Sequence, residues 1–151
     1  GFLAEADETN NAQVSAARVT LLARPDLMVS GVTPPNAIGP NSNGAYSIPL
    51  SLTVNNTGSS TAQPYWYDRV YLSSDAVLDA NDAMISSTLR STALAAAESY
   101  TLSPTATAAA TTAPGEYYLI VVADGSGSGF LAEADETNNA QVSAAKVILT
   151  P

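Results

Sequence analysis

The chain has 151 residues, 46% hydrophobic and 13% charged, enough apolar material for one domain-sized core. It has no cysteine and no histidine, which bars disulfide stapling, thiolate or imidazole metal sites, and catalysis by a His base or Cys nucleophile. Five Lys and Arg against fourteen Asp and Glu give a net charge of −9, so there is no basic footprint for nucleic acid or anionic lipid.

In chain order, the first feature is a duplication. Residues 1–17, GFLAEADETNNAQVSAA, recur letter for letter at 129–145, and Arg18-Val19 is answered by Lys146-Val147. Self-similarity at a fixed spacing marks a repeat array. Residues 1–24 therefore read as the acidic loop and last strand of a preceding repeat, and residues 25–151 as one complete repeat. In such an array, function resides in length, stiffness and junctions more than in one cleft.

Strand signals follow. Residues 26–32 are a weak strand and 34–44 a turn-rich stretch. Ile48, Leu50, Leu52 and Val54 share one parity, the mark of a half-buried strand. After the turn at 55–61, residues 63–73 put Trp66, Val70 and Leu72 on one face and Tyr65, Tyr67 and Tyr71 on the other. Residues 83–87 and 99–108 are weaker strands, and the alanine-rich stretch 89–97 fits a short helix or a loop equally well. Residues 116–123 are nearly all Tyr, Leu, Ile and Val, as in a central strand. The last strand, 141–150, changes parity between Val142 and Val147, which predicts a bulge near Ala144-Ala145. Seven short strands with turns between them predict an all-β, immunoglobulin-like antiparallel sandwich. In that frame Trp66 belongs to the core, and Tyr117-Tyr118, behind Pro114-Gly115, falls where such sandwiches tie a tyrosine hydroxyl back to the chain.

The segments PDLMVSGVTPP, SIPLSLTVNNTGSSTA, YDRVYLSSDAVLDANDAMI, PGEYYLIVVAD and AEADETNN, in this order and spacing, resemble the CARDB-type (cell-adhesion-related) module over residues 25–151. That resemblance implies an extracellular β-sandwich of bacterial surface or secreted proteins, often in tandem and associated with adhesion.

Two acid clusters carry the available chemistry. Asp75, Asp79, Asn81 and Asp82 lie in one short loop that Leu78 is expected to anchor in the core. Glu133, Asp135, Glu136, Asn138 and Asn139 form the second, which recurs as Glu5, Asp7, Glu8, Asn10 and Asn11. Calcium takes six to eight hard oxygens, so either loop is a candidate Ca2+ site; the first lacks the EF-hand spacing and also reads as a solvated turn, and in the second Asn138 and Asn139 also read as turn formers or caps of the last strand. The sandwich topology puts the two loops at opposite ends, so within one module they should not meet. Between head-to-tail repeats they would face each other, and calcium there would stiffen the array; separate intramodule sites are the other option.

Tyr65, Tyr67 and Tyr71 are the candidate contacts for a glycan, the alternative reading. No enzyme is expected: paired acids in hydrophilic loops have nothing to raise one pKa, and no nucleophile has a base. The triplet Asn55-Asn56-Thr57 matches a glycosylation acceptor, a pattern common by chance. Expected partners are neighbouring repeats and, through the duplicated strand, a second copy by strand exchange, with no membrane insertion; the other reading of the duplicate is a frayed tail or an extended stalk. A secretion signal, if any, belongs elsewhere in a longer parent.

Overall fold

The computed structural model describes residues 12–125 and 131–151. Its strands are β1 (Leu27–Thr33), β2 (Ala37–Ile38), β3 (Tyr46–Pro49), β4 (Ser51–Asn56), β5 (Trp66–Ser73), β6 (Ala83–Arg90), β7 (Ser99–Leu102), β8 (Thr105–Ala108), β9 (Gly115–Val122), β10 (Ala140–Val142) and β11 (Val147–Leu149). One layer runs β1-β4-β7 and continues as the β3-β8 pair; the other runs β2-β11-β9-β5-β6, with β10 pairing β9 above β11. Apart from the short parallel pair of β2 with β11, the ladders are antiparallel. The chain is an all-β, immunoglobulin-like sandwich, and no helix occurs among the described residues.

Three predicted strands are each observed as two, and prolines explain two of the breaks. Pro49 ends β3 and Pro104 separates β7 from β8 at the same level, and neither has an N–H for a ladder. The Leu50 N–H instead donates to Pro104 O at 3.1 Å, so the two strands remain in step across the break. The third break is the bulge expected in the last strand. Ser143 N–H donates to Leu119 O, its Oγ accepts from Leu119 N–H and donates to Ala145 O, and the chain then restarts as β11 with opposite parity. Val147 and Leu149 are consequently sealed in the core.

The core follows the predicted parities. Leu27, Val29, Ile48, Leu52 and Val54 from one layer meet Trp66, Val70, Leu72, Leu119, Val121, Val147 and Leu149 from the other, all buried. At β9, buried between β5 and β10/β11, Ile120 is also covered on the outer face, level with Tyr71 and Val142. Tyr117 Oη donates to Ala113 O at 2.9 Å, the tie back to the chain expected at the start of this strand.

Two open alternatives are decided and one expectation is corrected. Of residues 89–97, 89 and 90 finish β6 and the remainder is a loop pinned by the paired backbone bonds of Ala62 and Leu94. Leu78 is not a core anchor; it is 40% exposed. Residues 12–25 form no strand, and Val14, Val19, Leu21 and Leu22 lie in the open at 84–92% exposure, although their duplicate sequence forms β10 and β11.

Candidate functional site

The densest polar construction lies where the loop after β9 meets the start of β1. Glu133 is an acid in the middle of a loop, yet it is only 2% exposed. Its Oε2 accepts the Leu27 N–H at 2.5 Å and its Oε1 the Asn139 Nδ2 at 2.8 Å. The Glu133 N–H donates to Glu136 Oε1 at 2.9 Å. Burial pushes Glu133 up to about 7; the two donors oppose this, and the neighbouring carboxylates Glu136 and Asp124 add to it. Asp135 accepts from the Thr137 N–H and hydroxyl, which hold it below the usual carboxylate range. Asn138 Nδ2 donates to Asp26 Oδ1 at 3.0 Å, while its Oδ1 and that of Asn139 are buried with no hydrogen-bond partner.

This loop grips the segment that enters the domain. Arg24 Nη1 donates to Glu133 O, and the Ala134 N–H donates to Pro25 O at 2.9 Å. From the other side, the N–H groups of Ser59 and Ser60 donate to Arg24 O, and that of Thr57 to Asp26 O at 2.7 Å. Asn56, 1% exposed, accepts from the Asp26 and Gly58 N–H groups and donates to Ser60 O and Leu94 O. The backbone passes so near Gly58 that a Cβ there would sit 2.4 Å from Arg24 O and 2.5 Å from Asp26 N, so only glycine fits.

The first acid cluster hydrogen-bonds within its own loop. Asp75 Oδ1 accepts the Val77 N–H, Asp79 Oδ1 the Asn81 N–H at 2.7 Å, and Asp82 Oδ2 the Asp79 N–H at 2.9 Å. These are the local turns that Asp and Asn favour, and the residues are largely exposed. The two loops are not segregated as expected. Leu78 lines one recess on the outer face of the β5–β9 pair together with Tyr71, Val122, Asp124, Glu136 and Asn139. Among the described residues no three acidic side chains converge closely enough to hold a metal ion. Glu5, Asp7, Glu8, Asn10 and Asn11 lie outside the described residues.

The tyrosines are unequal. Tyr65 precedes β5 at φ 81° and is 65% exposed, whereas Tyr67 and Tyr71 are half-buried on the outer face. The amide of Asn55, the acceptor position of the triplet, donates to Met28 O and Ser30 Oγ.

Parity reasoning passed over an acid in the core. Asp68, 2% exposed, shares the inward face of β5 with Trp66 and Val70. Its Oδ1 accepts from Trp66 Nε1 at 3.2 Å and its Oδ2 from Tyr100 Oη of β7 at 2.5 Å, which bridges the two layers. Burial raises Asp68 to about 6 against the pull of both donors and Arg90, and holds the Tyr100 hydroxyl well above its ordinary value. The Arg90 guanidinium stacks on the Tyr100 ring at 4.1 Å. The available signal was an Asp on the parity of Trp66 and Val70, flanked by polar-tipped aromatics.

This fold and the loop clamped to its first strand define a class. The CARDB family model matches residues 24–143, and the chain belongs to that family. Among solved structures, it resembles the CARDB domain of a Pyrococcus furiosus protein in complex with di-metal ions, at 21% identity and TM-score 0.58, covering 86% of this chain and 97% of that one. A domain of a protein assigned to the cell surface of Methanosarcina acetivorans is similar at 19% identity and TM-score 0.58, over 84% of this chain and 93% of that one. A β-glucosidase from Listeria innocua in complex with gluconolactone matches at 13% identity and TM-score 0.51, over 97% of this chain but only 20% of that one. No match is found among curated proteins.

Proposed function

We propose that the chain is a non-catalytic structural unit of an extracellular or cell-surface protein, working in series with further copies of itself. One observation carries this reading. The sequence that forms β10 and β11, with Val147 and Leu149 at 0% and 1% exposure, is duplicated in residues 12–22, where Val19 and Leu21 are 87% and 88% exposed. A sequence so apolar on one parity belongs in a sandwich. Its own slot is filled by β11, hydrogen-bonded to β2 and β9 and capped by Tyr46 Oη donating to Thr150 O. The vacant partner is therefore the body of a preceding repeat, joined covalently, in preference to strand exchange between separate chains. The M. acetivorans relative, with its cell-surface assignment, supports the location.

The test is amide hydrogen exchange on the chain carrying one more repeat, residues 24–128 placed directly before residue 1. Protection of residues 13, 14 and 19–21 to the level of 141, 142 and 147–149 is the expected result. Rapid exchange unchanged from the shorter chain contradicts the reading.

A second reading adds a cation. Glu136 and Asp124 add to the rise that burial gives Glu133, a repulsion that a divalent ion near the loop would relieve, and the P. furiosus relative holds di-metal ions. Calcium is the ion we assign to it, with Glu136, Asp124 and the free carbonyl of Asn139 as the donors of best chemistry. Calorimetric titration with calcium chloride gives heat and a higher Tm if it binds; neither heat nor a Tm shift removes the cation and leaves the repeat reading intact. The glycan alternative rests on Tyr65, Tyr67 and Tyr71, and retention on a polysaccharide column, lost in Tyr67→Ala, would favour it.

A further inference from the structure

We infer that consecutive repeats are held in one fixed orientation, because the linker between them is built into the loops of the following domain; the inference rests on the serial reading above. Residues 24–27 are bonded from two sides. The turn at 57–60 takes Arg24 O and Asp26 O, the loop at 133–138 takes Pro25 O and the Asp26 side chain, and the Glu133 carboxylate takes the Leu27 N–H. Gly58 gives up its side chain so that Arg24–Asp26 can lie against it. Such a seat is unnecessary for a swinging tether.

Chain reach supplies the second half of the argument. Leu21 corresponds to Leu149, the last residue of β11, and Arg24 is already clamped. Three residue steps span at most about 10 Å. The end of the preceding sandwich is therefore held within about 10 Å of Arg24, beside the recess that Ser59 and Ala134 line with Thr20, Leu21, Leu22 and Arg24. The partner at this surface is the preceding copy of the same domain, and the contact is forced by linker length.

The absence of cysteine makes the test clean, since Val77→Cys in each repeat of the two-repeat chain gives one pair of exposed spin-label sites. Pulsed electron–electron resonance is expected to give a single narrow distance distribution. Insertion of Gly-Ser-Gly between Leu22 and Ala23, which leaves both sandwiches intact, should widen it at least twofold, and Gly58→Ala in the second repeat should do the same. A broad distribution in the parent chain, or one indifferent to the insertion, overturns the fixed joint. Hydrogen exchange on the same chain separates the two failures: protected residues 13, 14 and 19–21 with broad distances sink only the joint, whereas unprotected ones sink the serial reading itself.

Discussion

Glu133 decides what the acidic loop is for. A carboxylate buried to 2% exposure and accepting two N–H groups is a clasp, holding the first residue of β1 to the loop before β10. Removing it leaves the buried Leu27 N–H unpaired and Asn139 Nδ2 with only its bond to Ala123 O, each lost partner worth about 1–3 kcal/mol, so Glu133→Ala should lower stability by about 3 kcal/mol in denaturant unfolding. Its pH behaviour has a definite sign. The folded pKa, about 7, lies above the ordinary 4.5, so the folded state binds the proton more tightly; that stabilisation is complete below 4.5 and lost as pH rises through about 7. Asp68, raised from 3.8 to about 6, acts in the same direction. Asp135, lowered by Thr137, stabilises above 3.8 and loses this only in more acid solution, outside that window. The Tm should therefore fall between about pH 4.5 and pH 7, and Glu133→Gln should flatten the decline; a Tm that rises over this interval would contradict the assignment. Tyr100→Phe, which removes a bond to a buried carboxylate, should cost about 1.5–3 kcal/mol.

At the scale of elements, period-two reasoning from the sequence located the strands because burial on one face leaves a parity that local composition cannot hide. Ile48, Leu52 and Val54, then Trp66, Val70 and Leu72, are buried as that parity requires. The change of parity between Val142 and Val147 likewise foretold the break that Ser143 fills by bonding Leu119 on both sides. What parity cannot convey is the fate of loop acids. Asp75, Asp79 and Asp82 each turn an oxygen onto a neighbouring N–H group, and Glu133 is drawn inward by a donor 106 positions away. Nor does sequence reveal that the loop bearing Leu78 shares a recess with Glu136, because the ends of a sandwich are separate only if its loops stay at the ends. The tyrosine tie at the start of β9 was legible from position alone; Tyr117→Phe should cost about 1 kcal/mol and leave the fold unchanged, as read by thermal unfolding and circular dichroism.

At the scale of the molecule, the duplicated segment acquires a physical meaning. Val19 and Leu21 are exposed where their counterparts Val147 and Leu149 are core, and on the serial reading proposed above a preceding repeat covers them. On that reading stiffness would come from two devices: the strand that closes one sandwich would lead within three residues into the clasp of the next, and that clasp is anchored by Glu133, Asn56 and Gly58. A unit built this way would transmit position along a series. The most direct measurement is small-angle X-ray scattering of chains with one, two and three repeats. The account predicts a maximum dimension that grows by an equal increment, one domain length, with each added repeat; increments that shrink as the chain lengthens, as in a freely jointed or collapsed assembly, would contradict it.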